Sequence, residues 1–366
     1  MWPNRRFLDI VDIDLPIIQA PMAGSVTSEM VIAVSEAGGL GSLPCAMLTP
    51  DQMRAELGVI RQRTSRPLNL NFFCHRQPAP DPSRESAWKQ RLSAYYRELG
   101  LDPKTPVAAV NRAPFDEAAC EVVEEFKPQV VSFHFGLPVS HLLERVRATK
   151  ATVISSATTV DEARWLQEHG CDAIVAQGYE AGGHRGLFLS DDITSQAGTL
   201  ALVPQIVDAV TVPVIAAGGI GDGRGVVAAL ALGAAAVQVG TAFLFCPEAK
   251  VSCMHRAALR AARDNGTVLT NVFTGRPARG LANRVVREVG PVSDLAPAFP
   301  LAASAMAPLR AKAEASGSGD FSPLWSGQAA GLGREMSAAA LTAWLMADAA
   351  ARLQDLATQV PAVRDQ

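Results

Sequence analysis

Short apolar runs recur along the chain, with amphipathic stretches between them. Eight runs read as strands: 16–20, 39–43, 68–73, 129–134, 151–155, 173–177, 212–217 and 235–239. Helical patterns lie near 27–37, 50–62, 115–126, 138–148, 159–169, 198–210 and 222–232. The strand runs are continuous rather than alternating, as in strands covered on both faces. Eight β–α repeats predict an α/β fold of the (β/α)8, TIM-barrel type. An open doubly wound sheet is the alternative.

Two segments fall outside the repeat. Residues 75–112 form a polar insertion after the third strand, Pro-rich at 78–82 and then helical through Trp88–Leu99. Residues 246–366 carry helical patterns at 250–264, 303–315 and 335–357. The expected division is a barrel of residues 1–74 and 113–245 and a smaller, mainly helical cap of residues 75–112 and 246–366. The cap would sit over the barrel's C-terminal mouth, where active sites of this fold lie. The last helix is free to pack back on the barrel.

Composition narrows the partners. Net charge is −3 and there is no dense Lys/Arg run, which argues against nucleic acid. The six cysteines are scattered without CxxC or zinc spacing, so they read as thiols in a reducing cytosol. The N-terminus lacks the apolar core of a signal peptide. Residues 226–245 are long enough to span a membrane, but Gly233, Gln238 and Gly240–Thr241 divide them into a helix and a strand. The expectation is a cytoplasmic protein with no membrane partner. No HExxH, Walker A, GxSxG or EF-hand pattern is present, so no metal site is expected.

Candidate chemistry gathers at the strand ends. Residues 176–186 read AQGYEAGGHRG, with His184 among glycines that permit positive φ and close ligand approach. An imidazole titrates near neutrality, which suits removal of a proton from a carbon acid. Glu180 is a candidate to orient it. The seventh strand ends in Gly218-Gly219-Ile220-Gly221 and the eighth in Gln238-Val239-Gly240-Thr241. Loops seven and eight of such barrels hold phosphate, helped by free N–H groups at a helix start. GRGVVA at 223–228 matches a dinucleotide fingerprint by letter, but it starts inside the helix and lacks the downstream acid. Asn69 and Asn71 share one face of the third strand, and His134 ends the fourth. The small residues of Gln19–Ser25 allow a flat ring against the backbone.

These segments resemble the nitronate monooxygenase family, formerly called 2-nitropropane dioxygenases. The resemblance rests on QAPMAGS at 19–25, SFHFGLP at 132–138, AQGYEAGGHRG at 176–186 and AAGGIGDGRGVVAALALGAAAVQVGTAFL at 216–244. GRPARGLAN at 275–283 and PLWSGQAA at 323–330 extend it towards the C-terminus. It implies an FMN-binding TIM barrel with His184 as the base that deprotonates a nitroalkane. Met22, Ala23, Asn71, Gln177, Gly182, Gly219, Gln238, Val239, Gly240 and Thr241 would contact FMN, the last four near its phosphate. His134, Tyr95, Tyr96 and Trp325 are substrate-side candidates. The implied reaction takes alkyl nitronates, propionate 3-nitronate among them, with O2 to carbonyl compounds and nitrite through a flavin semiquinone. Arg112, Arg276 and Arg279 are candidates for the carboxylate of that substrate. Monomer and homodimer both stay open.

QAPM and GGI are shared with flavin-dependent enoyl reductases, so an enoyl-thioester reductase using NAD(P)H is the first rival. The others are a non-catalytic flavin-binding protein and a barrel for a phosphorylated metabolite without flavin.

Overall fold

In the computed structural model, residues 4–106 and 112–359 are described. Eight parallel strands form the main sheet: β1 (Ile17–Gln19), β2 (Gly41–Pro44), β3 (Leu68–Phe73), β4 (Val130–His134), β5 (Thr152–Ala157), β6 (Ala173–Gln177), β7 (Val214–Ala217) and β8 (Ala236–Val239). Their spatial order is β1-β8-β7-β6-β5-β4-β3-β2. A bridge between Ile18 and Leu40 joins the two ends of that order, so the sheet closes as a TIM barrel. All eight runs expected from the sequence are barrel strands.

Alternation sends one set of side chains inward and the other under the helices. Ile18, Val130, Ile154, Val175 and Ile215 fill a compact interior, and Phe7, Leu8 and Val11 of the N-terminal helix Arg6–Val11 join the same cluster. The opposite faces pack beneath seven helices, from Ser28–Glu36 to Gly223–Ala231. Their starts are set by local chemistry. Thr49 and Gln52 close a reciprocal cap on Pro50–Arg63, and Thr27 and Thr159 accept from the first turns of their helices.

The helix after β8 comes late in the chain. Ala338–Gln359 packs against both Gly223–Ala231 and Ser28–Glu36 and completes the ring. The contact is close: a Cβ on Gly223 would lie 2.4 Å from Ala349 N. Gly223 N also donates to Asp348 Oδ2 at 2.8 Å. Gly223→Val is therefore expected to destabilise the fold by about 1–3 kcal/mol through overpacking. Denaturant titration against wild type checks this, and an unchanged midpoint would contradict the packing.

A second, smaller core stands apart from the barrel. Helix Pro82–Glu98 buries Trp88, Leu92, Tyr95 and Tyr96 against Ala305, Met306 and Leu309 of helix Ala302–Ala315. Trp88 Nε1 donates to Ala302 O at 3.2 Å and Tyr96 Oη to Ala305 O at 2.7 Å. A three-stranded antiparallel sheet lies beside it: Thr267–Thr270, Ala278–Leu281 and the short Gly183–His184. That sheet ties the loop after β6 to the C-terminal part of the chain. Among the described residues, no helix is long and apolar enough to cross a membrane.

Candidate active site

A cavity opens at the C-terminal ends of the barrel strands. Met22, Ala23, Asn71, Gln177, Gly182, Gly219, Gln238, Gly240 and Thr241 line it, as do His134, His184 and Trp325. Three of the flavin and substrate-side candidates lie elsewhere, and the carboxylate candidates Arg276 and Arg279 do not line it either. Val239 is fully buried in the core under the helices, because alternation turns it away from its neighbour Gln238. Tyr95 and Tyr96 do not line the cavity. They belong to the smaller core, Tyr95 edge-on to Phe321 at 5.3 Å and Tyr96 bonded to Ala305.

His184 is held from several sides. Its residue pairs with Ala278 in the small sheet, and its carbonyl accepts from Gln177 Nε2 at 3.0 Å and from His134 Nε2 at 3.2 Å. The carbonyl of Gln177's side chain accepts from Gly186 N at 2.8 Å, so the amide brackets the loop. Arg185 is fully buried and clamps the other side, giving hydrogen bonds to the Gly178 and Gln177 carbonyls and to Gln196 Oε1. Burial pulls this guanidinium down to about 10, so it stays charged at neutral pH. Nothing in the sequence distinguished Arg185 from an exposed loop arginine.

The imidazole of His184 sits in an aromatic box. Ring centroids of Phe73, Phe135, Phe299 and Trp325 lie 5.3–6.3 Å from its own. Its Nε2 is 3.0 Å from Thr274 Oγ1, which itself reaches the Arg276 carbonyl at 3.4 Å. The threonine hydroxyl engages Nε2, and which of the two carries the shared proton depends on the tautomer. Nδ1 is left for a ligand. Burial, then the positive charge of Arg112, hold the ring well below the ordinary histidine range. Glu180 is not its orienting partner. That carboxylate takes the N–H and hydroxyl of Thr199 and caps helix Thr199–Ala209.

His134 is neutral by the same physics. Its Nδ1 lies 2.6 Å from Ser156 Oγ and its Nε2 donates to the His184 carbonyl. Burial lowers it to about 3 and lowers His75 to about 4. In the unfolded chain a histidine titrates near 6.5. Below that pH the unfolded state takes up protons that the folded state refuses, so stability falls as pH drops from about 6.5 towards 4. Thermal melts between pH 7.5 and 5 check this, and a level midpoint would contradict the neutral burial.

An anion cradle is built where loops seven and eight meet, but its donors differ from the sequence expectation. The start of helix Gly223–Ala231 is already filled. Asp222 accepts from Arg224 N and Gly225 N, and Asp348 takes Gly223 N. The available donors are at Gly218–Gly219, both with positive φ, and at the first turn of the 3-10 helix Thr241–Phe245. A Cβ on Gly219 or Gly240 would make only ordinary contacts, at 3.5 Å or more, with Glu180 and with Ala20 and Met22. Among the described residues, no side-chain hydrogen bond is found for Gln238, whose amide lines the same cavity. Apolar Met22 and Ala23, the open amide of Gln238 and a backbone cradle fit a flat ring with a phosphate tail.

A family model described as nitronate monooxygenase matches residues 4–348. A nitronate monooxygenase of Pseudomonas aeruginosa is 42% identical over 338 residues, covering 92% of this chain and 96% of the relative. One from Paraburkholderia phytofirmans is 40% identical, covering 93% and 94%. A solved nitroalkane oxidase from Streptomyces ansochromogenes superposes with a TM-score of 0.86 at 36% identity, covering 96% of this chain and 99% of that one. FabK from Thermotoga maritima superposes with a TM-score of 0.75 at 28% identity, covering 98% and 100%.

Proposed function

The chain belongs to the nitronate monooxygenase family, and from that premise we propose that it is an FMN enzyme that converts alkyl nitronates and O2 to carbonyl compounds and nitrite. The observation that carries this reading is the pairing of a half-buried, oriented His184 with a cradle for a flavin phosphate in one cavity. In this reading Gly219, Gly240 and Thr241 hold the phosphate, Met22 and Ala23 lie against the ring, and Asn71 and Gln238 meet its polar edge. FMN, when bound, supplies one-electron oxidation of the nitronate and passes electrons to O2.

The chain's own residues prepare the substrate. With Nε2 engaged by Thr274, Nδ1 faces the reacting carbon and accepts its proton. Phe73, Phe135, Phe299 and Trp325 exclude water around that transfer. The positive charge of Arg112 favours the nitronate anion over the neutral nitroalkane. A base held well below neutrality is a weak proton acceptor, so preformed nitronates are the better substrates. His134, Gln177 and Arg185 position the loop without touching the reacting atoms. The described parts of residues 75–112 and 246–337 are proposed as the unit that covers the mouth, helix Ala338–Gln359 rejoins the barrel, and residues 107–111 and 360–366 of the expected division lie outside the described residues.

The test is nitrite release with oxygen uptake when the flavin-loaded protein is given an alkyl nitronate. Turnover without nitrite, or no turnover of any nitronate, would overturn the reading.

A further inference from the structure

Two hollows meet at one layer of rings. The cavity at the strand ends is lined by His184 and Phe73. An outer groove runs beside it, lined by Leu137, Val139, Trp165, Leu187 and Phe188. Phe135 and Phe299 line that groove, yet their ring centroids stand only 6.2 and 5.3 Å from that of His184. The two rings lie 5.7 Å from each other. The partition is therefore one side chain thick, with His184 on one side and an apolar groove on the other.

Phe135 is held there against its own backbone preference. Its φ is 72°, in the left-handed region that a bulky aromatic residue avoids. Among the described residues three other non-glycine positions share that region, Asp12, Lys127 and Lys150, and each sits at a helix end. Phe135 follows a strand instead. Ser155 Oγ pins the turn on both sides, 3.2 Å from the Phe133 carbonyl and 2.8 Å from the Gly136 carbonyl. Arg276, hydrogen-bonded to the Leu187 carbonyl, stacks 4.1 Å from the Phe135 ring centroid on the groove side. Strain of this kind persists only where the surroundings over-determine it, and it gathers at functional sites.

We propose that Phe135 is the wall that sets substrate length: with Phe299 it closes the cavity against the outer groove and limits the carbon chain a nitronate can carry. The proposal rests on the nitronate reading above and adds the residue that fixes the size of its substrate. A short alkyl chain beside His184 ends at the ring. A longer one runs into Phe135 and needs the space beyond, where Leu137, Leu187 and Phe188 suit a methylene chain.

Two pairs of probes separate the wall from the activity. Propionate and heptanoate have the shapes of ethyl nitronate and hexyl-1-nitronate, with a carboxylate in place of the nitronate group. Binding of each acid to the flavin-loaded protein is read by calorimetry, beside kcat/KM for the two nitronates. Wild type is expected to bind heptanoate no more tightly than propionate and to favour ethyl nitronate. Phe135→Gly suits the positive φ and removes the ring. It is expected to raise both long-to-short ratios by about 10-fold or more, the scale of one methylene placed in an apolar pocket. Phe299→Ala breaches the same wall without touching the left-handed turn and should move both ratios in the same direction. Ratios that stay put in both variants, or a wild type that already prefers the longer member of each pair, would overturn the proposal. A heptanoate preference gained in the variants, with no nitrite from either nitronate, would support the wall and overturn the activity.

Discussion

Replacing His184 by asparagine is expected to lower kcat/KM for a neutral nitroalkane by about 100- to 10,000-fold, the span of a positioned general base. Turnover of the preformed nitronate of the same compound should change far less. The distinction follows from where the proton is. A nitroalkane must lose one from carbon, and Nδ1 is the only nitrogen of His184 not committed to protein, because Nε2 is engaged by Thr274. A nitronate has already lost it. Asparagine keeps a polar group near Thr274 and does not enlarge the side chain, so the loop clamped by Gln177 and Arg185 should hold its shape. Steady-state rates of nitrite release with the two substrate forms decide the matter. Equal losses for both would show that His184 holds the site together rather than taking the proton.

Gly182→Val should empty the flavin site while leaving the barrel folded. Gly182 lines the cavity, but its missing side chain serves a second purpose. A Cβ there would lie 2.5 Å from Gly327 N and 2.7 Å from Ser326 C, backbone atoms that cannot swing aside. That 326–328 segment is stitched across the mouth. Ser326 N donates to Arg279 O, Gly327 N to Thr241 Oγ1 at 2.8 Å, and Gln328 N to Glu180 O at 3.0 Å. Valine must push the segment off, and Thr241 belongs to the turn offered to the phosphate. Overpacking of this kind costs about 1–3 kcal/mol, which corresponds to roughly 5- to 150-fold weaker flavin retention. Flavin content after gel filtration, with circular dichroism as the control for folding, measures it. Full retention would mean that the segment does not close the cofactor site.

The barrel was legible because its strands are covered on both faces. Apolar runs such as VVSF and AIVA separated by helices point to a parallel sheet, and their number, eight, favoured the closed barrel over the open doubly wound sheet. The small sheet was not legible, for the opposite reason. Gly183–His184 is two residues long and pairs with Ala278–Arg279 far along the chain, so no local pattern records it. Tyr95 and Tyr96 show how an aromatic pair misleads. Trp88, Leu92, Tyr95 and Tyr96 fall on one helical stripe, which is the spacing of a buried face rather than of a ligand surface. Glu180 was the sequence candidate to orient His184, and its carboxylate binds Thr199 at the start of helix Thr199–Ala209 instead. A carboxylate and a chain of N–H groups meet through the fold, and spacing alone does not reveal which helix a loop residue will cap. His184 stood out because a histidine among four glycines has few structural uses.

The nitronate and enoyl-reductase readings share the barrel, the cradle and the flavin, and differ in what delivers electrons. Mixing the purified flavoprotein with an alkyl nitronate in the absence of oxygen, and separately with NADPH, tests that difference most directly. The account predicts that the visible flavin absorbance changes rapidly with the nitronate and stays as it was with NADPH. Rapid bleaching by NADPH with no response to the nitronate would contradict it.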